Sequence, residues 1–363
     1  MTLLTIVAVF LVLYVLGQVM KVFEVSAKLR GRNVYDVTES ETKVQSVLML
    51  IFLVGFMSFV LWQISRWGSS TLPVSASEHG VVTDNLLLTT WWIIVPVFVI
   101  THILLFYFAS KYAYNKNRRA DFFAHSNKLE LLWTAVPTIV LTVLILYGLN
   151  TWNTVMTPLT DDVDHIKIEL YAKQFDWTAR YSGPDNKLGD ANVHFIEGTN
   201  AVGLDARDVH THDDVLVKGE FHLPVNVPVQ FTMRSQDVIH SAYMPHFRAQ
   251  MNCVPGMRTQ FKYTPTITTA EMRQITKNPD FNYILLCNKI CGAAHYNMQM
   301  NIVVESQEEY DKWMAEQKPF MAGEPEMAMQ EEAVEAEAVP ADEGAVEEAA
   351  PLEEEQAAES TEI

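Results

Sequence analysis

Four apolar runs, Thr2–Met20, Val47–Ile64, Leu88–Ala109 and Leu131–Leu149, dominate the first half of this chain. A helix needs about 20 mostly apolar residues to cross a bilayer, and each run is of that order. In hydrocarbon every backbone N–H and C=O must find its partner within the segment, so such a run has one option, the α-helix. A large soluble core can imitate one such run, but hardly four before residue 150. The 363 residues are 49% hydrophobic and only 19% charged, which fits several membrane spans.

Charge sets the orientation. Lys21, Lys28, Arg30 and Arg32 follow the first run, and Lys111, Lys116, Arg118, Arg119 and Lys128 lie between the third and fourth. The stretch Thr71–Asn85 holds Glu78 and Asp84 but no Lys or Arg. Basic loops stay on the cytoplasmic side, so the chain is expected to run out–in–out–in–out, with everything after Trp152 outside. The first run has no basic residue before it, unlike a secretory signal peptide. Trp91, Trp92, Trp133 and Trp152 fall near span ends, where interfacial aromatics collect. Pro96 and Pro137 lie inside spans, where neighbouring helices absorb the lost hydrogen bond.

From His165 the hydrophobic period shortens to alternation. The segments at 165–172, 227–234, 260–263, 283–286 and 300–305 read as short strands separated by turn-rich pieces. Many short strands in so few residues predict a small β-sandwich or barrel. The formal net charge of −18 is concentrated at the end: from Met321 onward there are 15 acidic residues and no Lys or Arg. A segment of Ala, Glu, Pro and Met without aromatics is expected to stay disordered. The chain thus divides into two helices at 1–67, a helical hairpin at 85–152, an outward-facing β domain at 160–310 and an acidic tail at 320–363.

Chemistry concentrates in one stretch of the β domain. Cys287-Asn-Lys289-Ile-Cys291-Gly-Ala-Ala-His295-Tyr-Asn-Met298 carries two thiols, an imidazole and a thioether, and Asp237-Val-Ile-His240 supplies a second imidazole. Soft sulfur ligands favour Cu(I), imidazole suits both oxidation states of copper, and a weak thioether tunes the potential. Cysteines four positions apart can present both sulfurs to one small space and bridge a pair of copper ions. A short-loop disulfide between Cys287 and Cys291 is the plainer alternative. Cys253, with no ligand-type neighbour in its own segment, reads as a small buried residue. Three cysteines are too few for a disulfide framework.

These runs, with Val254-Pro-Gly-Met257 and Lys128-Leu-Glu130-Leu-Leu-Trp133-Thr-Ala-Val-Pro137, resemble subunit II of the haem-copper oxidases of the cytochrome c oxidase type. The resemblance covers residues 85–310. It implies a cupredoxin-like Greek-key sandwich outside the membrane holding the dinuclear copper centre CuA. Carried over position by position, the ligands are the side chains of His240, Cys287, Cys291, His295 and Met298 and the main-chain oxygen of Lys289. It further implies a one-electron relay: a c-type cytochrome donates from outside, and the electron passes to a haem in subunit I, where oxygen is reduced and protons are pumped. No catalytic residue is expected in this chain. No Cys-x-x-Cys-His occurs, so no covalent haem c is expected, and the donor must be another protein or subunit. The location implied is a bacterial inner membrane, with the N-terminus and the copper domain on the periplasmic side. No nucleic-acid partner is expected.

The chain departs from the family's pattern at several places. The family places Glu between the cysteines, with its carboxylate on a magnesium ion at the contact with subunit I; here Lys289 keeps only the carbonyl, so the magnesium site is expected to be altered or absent. The aromatic stretch where electrons come in normally begins Gln-Trp; here it reads Gln174-Phe175-Asp176-Trp177, so Phe175 and Trp177 are the candidates, with Trp177 equally readable as core. Glu130 matches a carboxylate near the mouth of a proton pathway, but also suits the positive end of a helix. The first two spans lie outside the resemblance and are expected to pack against other membrane subunits, and the extra segment Ala270–Asp280 reads as a short surface helix.

Three other functions fit part of the pattern. A quinol oxidase subunit II would lack the copper ligands. A copper-delivery or thiol-redox protein would use Cys-x-x-x-Cys, but normally on one anchor with a βαβ pattern. A CuA subunit of a nitric oxide reductase differs mainly in its catalytic partner and stays open.

Overall fold

The computed structural model describes residues 2–31, 37–122 and 124–321. The acidic tail lies outside these residues apart from Phe320 and Met321. The four apolar runs form α1 (Thr2–Leu29), α2 (Glu39–Trp67), α3 (Glu78–Lys111) and α4 (Asn127–Met156). All four are long and apolar enough to cross a membrane. Each outlasts its apolar run because polar flanks close the ends. The Thr38 hydroxyl accepts the Glu41 N–H and the Ser77 hydroxyl accepts the Gly80 N–H, as helix N-caps do. Pro96 and Pro137 sit inside α3 and α4 as expected.

Helix α2 packs on α3 through interleaved rings. Phe52 meets Phe106 at 5.2 Å between centroids, and Phe56 lies 5.6 Å from His102, which in turn lies against Phe98. At the far end the Ser46 hydroxyl donates to the Ser110 carbonyl at 2.7 Å. One side of α2, a span expected to pack against other membrane subunits, therefore packs on this chain's own hairpin.

The α2–α3 connector is fastened to the β domain. Ala76 N–H donates to the His246 carbonyl, the Ser77 hydroxyl to the Phe247 carbonyl, and Glu78 N–H to the Thr264 carbonyl. Arg248 reaches across to grip both carboxylate oxygens of Asp84 at 2.8 and 2.9 Å and donates to the Pro73 carbonyl. The connector and the β domain thus lie at the same end of the spans, the end that charge counting assigns to the outside.

The domain is a sandwich of two five-stranded sheets. One runs β3 (Val215–Lys218), β2 (Asp176–Tyr181), β1 (Ile166–Lys173), β5 (Val229–Ser235), β8 (Thr259–Tyr263). The other runs β4 (Glu220–Pro224), β10 (Gln299–Glu305), β9 (Tyr283–Cys287), β6 (His240–Met244), β7 (Ala249–Cys253). The pairs β1–β5 and β4–β10 are parallel; the other pairs are antiparallel. Alternate residues such as Ile168, Leu170, Phe231, Met233, Leu285 and Ile302 fill the space between the sheets. Each large side chain buried there contributes about 1.5–3 kcal/mol. The extra segment at 270–280 does form a helix, α5 (Thr269–Thr276), closed by a capping box between Thr268 and Glu271. A last helix, α6 (Gln307–Ala315), follows β10.

The outer face of β1 is not solvated, because residues 182–214 fold back over it. Tyr171 packs with Val202 and Leu204 in a second small core. Beside it a chain of buried charges crosses three strands and ends in the covering segment. Arg234 grips Glu169, Glu169 takes Arg180 at 3.1 Å, and Arg180 reaches Asp214 at 2.5 Å. Arg180 also donates to the Gly189 carbonyl, pinning the covering segment to the sheet.

Removing one member of a buried pair strands the other charge. Arg180→Met is therefore expected to cost about 3 kcal/mol in denaturant unfolding of the full chain. Burial pushes the Asp214 carboxyl up to about 6 despite its Arg180 partner. Its proton uptake then favours the folded state: the contribution is full below the ordinary carboxylate value of about 3.9 and is lost as pH rises through about 6. Asp214→Asn should flatten the fall in stability across that window, as read by unfolding midpoints from pH 4 to pH 7.

Candidate metal centre

His240 and Cys287 are 47 positions apart, and strand pairing brings them together. His240 opens β6, Cys287 closes β9, and the register sets Ala242 opposite Cys287. With a side-chain period of two, His240 and Ala242 share a face, so the imidazole lies beside the thiol. The Cys287 N–H donates to the Met298 carbonyl at 3.0 Å and closes the ligand loop at its neck.

Within that loop the donors converge. Cys287 Sγ lies 3.9 Å from Cys291 Sγ, 3.8 Å from His240 Nδ1 and 3.2 Å from the Lys289 carbonyl oxygen. Cys291 Sγ lies 3.6 Å from His295 Nδ1 and 3.8 Å from Met298 Sδ. Donor atoms of His240, Cys287 and Cys291 all fall within 4.8 Å of one another. His240, Cys287, Cys291 and Met298 are buried, whereas His295 is half-buried.

The sulfur separation excludes the disulfide reading, since S–S bonds are about 2.05 Å, and all three cysteines are free. It does suit metal. A metal–thiolate bond is about 2.3 Å, longer than half of the 3.9 Å separation. Both sulfurs could therefore hold the same ion without touching each other. An imidazole stands at each sulfur, with the thioether and the carbonyl as weaker donors. The donor set fits a pair of soft ions bridged by two thiolates.

The metal-free Cys291 thiol holds its proton. Burial, and then the neighbouring Cys287, push the Cys291 thiol up to about 11, and burial pushes Cys253 up to about 12. Cys253 is fully buried at the position opposite His240 on β7, as a small core residue.

Three residues without an assigned role in the sequence reading shape the site. The Asp237 carboxylate faces His240 Nε2 at 2.8 Å and leaves Nδ1 toward the sulfurs. Its other oxygen accepts the Gln174 N–H at 2.7 Å, and the Gln174 side chain donates to the Cys291 carbonyl. Gly292 lies under the Gln174 and Phe175 side chains. An acid three positions before a ligand histidine was a readable signal for Asp237; nothing in the sequence marked the other two contacts.

The remaining candidates separate. Trp177 is 1% exposed and lies edge-on to the His240 ring at 6.3 Å, so it is a core residue beside a candidate ligand. Phe175, in the β1–β2 turn, is 36% exposed. The Lys289 side chain is exposed, and Ile290 and Tyr296 beside it leave 86% and 85% of their surface open. Far away at the start of α4, the Glu130 carboxylate accepts the Ser126 N–H at 3.3 Å, a capping contact.

Two family models match the chain. "Cytochrome C oxidase subunit II, transmembrane domain" covers residues 65–151, and "Cytochrome C oxidase subunit II, periplasmic domain" covers residues 166–307. The chain belongs to the cytochrome c oxidase subunit II family. It is 32% identical over 279 residues to an alternative cytochrome c oxidase subunit 2 of Bradyrhizobium diazoefficiens, spanning 76% of this chain and 92% of that one. It is 24% identical to cytochrome c oxidase subunit 2 of Synechocystis, over 76% of this chain and 83% of the relative. A solved periplasmic domain of cytochrome oxidase subunit II from Bradyrhizobium japonicum matches at 22% identity over 44% of this chain and 95% of that chain, with a TM-score of 0.29. This chain is thus an oxidase subunit with a membrane anchor and a cupredoxin-like domain on the outer side, and the family's general role is electron transfer through CuA. Family membership implies copper, and subunit I as partner. Helix α1 and all but the end of α2 precede the matched residues.

Carboxylates behind a ligand histidine fix its tautomer, and their loss typically weakens metal binding 10- to 100-fold. Asp237→Ala should lower copper affinity by about that factor in a chelator competition titration, with the fold unchanged by circular dichroism.

Proposed function

We propose that this chain holds a dinuclear copper centre on His240, Cys287, Cys291, His295, Met298 and the Lys289 carbonyl. Through it, electrons pass from a c-type cytochrome to the haem of subunit I for oxygen reduction coupled to proton pumping. The convergence of two thiols, two imidazole Nδ1 atoms, a thioether and a carbonyl in one loop and one strand end carries this reading. Copper bound there supplies a one-electron carrier that needs little rearrangement on reduction.

The chain's own residues make such a carrier workable. The β6–β9 ladder holds His240 and Cys287 in register, and Asp237 turns the His240 ring. Burial of both sulfurs and of Met298 keeps water from the centre and limits what must reorganise. Proton release from Cys287 and Cys291 must accompany loading, because the thiolate is the ligand. Phe175 at the surface and Trp177 beside His240 offer the approach for the donor's electron. The donor is a separate protein or subunit, since this chain has no c-type haem motif. Oxygen rather than nitric oxide as acceptor is supported by the names of the relatives. A copper-delivery or thiol-redox role is disfavoured by the sandwich, which has no thioredoxin-like βαβ unit among its described residues.

The periplasmic side of a bacterial inner membrane is the location that the basic loops and the fastened connector support. In this reading Glu130, at the opposite end of α4, takes up protons from the inside in addition to making its capping contact. Lys289 places a cation where the family's pattern has a magnesium-binding carboxylate, so no magnesium is held by this side chain.

Copper-loaded full chain in detergent should hold two coppers and give a seven-line mixed-valence EPR signal at low temperature. Cys291→Ser should reduce it to a mononuclear signal; a mononuclear blue or type 2 spectrum from the unmutated chain would defeat the proposal. In the assembled oxidase, Lys289→Glu should create manganese binding detectable by EPR that the unmutated complex lacks. Manganese bound equally by both would remove the role given to Lys289.

A further inference from the structure

The geometry points to Gln174 as a positioning residue that locks the cysteine loop onto the β1–β2 turn and holds the thiol pair in place before any metal binds. This inference deepens the copper reading and rests on it for its function, though not for its structure.

Both halves of Gln174 are committed. Its side-chain Nε2 donates to the Cys291 carbonyl, and its backbone N–H donates to Asp237 Oδ2 at 2.7 Å. The opposite oxygen of Asp237 faces His240 Nε2 at 2.8 Å and accepts the Val238 N–H. One residue that ligates nothing therefore touches both ligand-bearing segments. The loop needs this contact. Its neck is tied to the sheet, where Cys287 N–H meets the Met298 carbonyl and Asn288 N–H meets the Ser241 carbonyl. The Cys291 carbonyl, at the loop's far side, has no partner among the described residues other than Gln174.

Gly292 is the steric half of the same device. Its φ of +146° is one that L side chains rarely adopt. A Cβ there would stand 2.8 Å from Gln174 Nε2 and 2.8 Å from the Phe175 ring. The turn can close on Cys291 only because position 292 has no side chain. The surface where electrons are expected to arrive is thereby joined to Cys291 by a hydrogen bond and by ring-to-backbone contact.

The test uses the full chain in detergent with Gln174→Leu, Gln174→Glu, Gly292→Ala and the Gln174→Leu/Gly292→Ala pair. Without metal, alkylation by iodoacetamide is followed at each cysteine by mass spectrometry. Gln174→Leu should raise the rate at Cys291 about fivefold, the equivalent of one lost hydrogen bond, while buried Cys253 stays unreactive. Gly292→Ala should do the same, and the pair should add little, because both changes break one contact. With copper, Gln174→Leu and Gln174→Glu should keep two coppers but show shifted visible bands and a lower midpoint potential, since a donor's positive end favours the reduced state. An unchanged Cys291 rate in Gln174→Leu, or an equal rise at all three cysteines, would overturn the positioning role. If the unmutated chain gave no dinuclear signal, the copper reading would fail, yet the metal-free alkylation would still decide the lock.

Discussion

The antiparallel pairing of β6 with β9 sets Ala242 against Cys287 and Tyr243 against Leu286. Side chains on a strand alternate between faces, so a slip of one residue would send His240 or Cys287 to the opposite side of the sheet. No compensation within the ligand loop could restore the site, because the loop is closed by Cys287 itself. The sandwich core and the β7 edge all act to keep that one register. The buried rings of Phe247 and Tyr283, 4.7 Å apart, pack across the same sheet at the membrane-facing end.

The domain resists two opposing demands. Two thiols are held 3.9 Å apart in a buried place, where a pair of thiolates would be costly without a cation. Elsewhere the domain lines up four side-chain charges of alternating sign, the half-buried Arg234 and the buried Glu169, Arg180 and Asp214. The first arrangement is of the kind a metal ion would neutralise. The second neutralises itself and fastens residues 182–214 over the sheet.

Much of this was legible. Apolar runs mark the spans because hydrocarbon allows little else, and the ligand spacing marks the site because few chemistries need Cys, Cys, His and Met in one loop. Strands β1, β5, β8, β9 and β10 show in the alternation. Strand β6 is buried along nearly its whole length, so its residues do not alternate between apolar and polar. The outward faces of β1 and β2 carry Glu169, Tyr171 and Arg180, which look solvated in sequence but are covered in the fold. Trp177 was readable as core or as electron contact, and the structure places it in the core, edge-on to the His240 ring. Gln174 could not have been found, because its partners lie 63 and 117 positions away and bond through backbone atoms on one side of each pair.

The seam between connector and sandwich has a consequence for handling the protein. A fragment beginning after α4 would keep every metal-site residue yet lose Ala76, Ser77, Glu78 and Asp84. The carbonyls of His246, Phe247 and Thr264 would lose those donors, and Arg248 would lose its carboxylate. The short piece of chain between two spans is in effect a borrowed edge of the soluble domain. A covalent graft of residues 72–84 onto the fragment would give it back its own border.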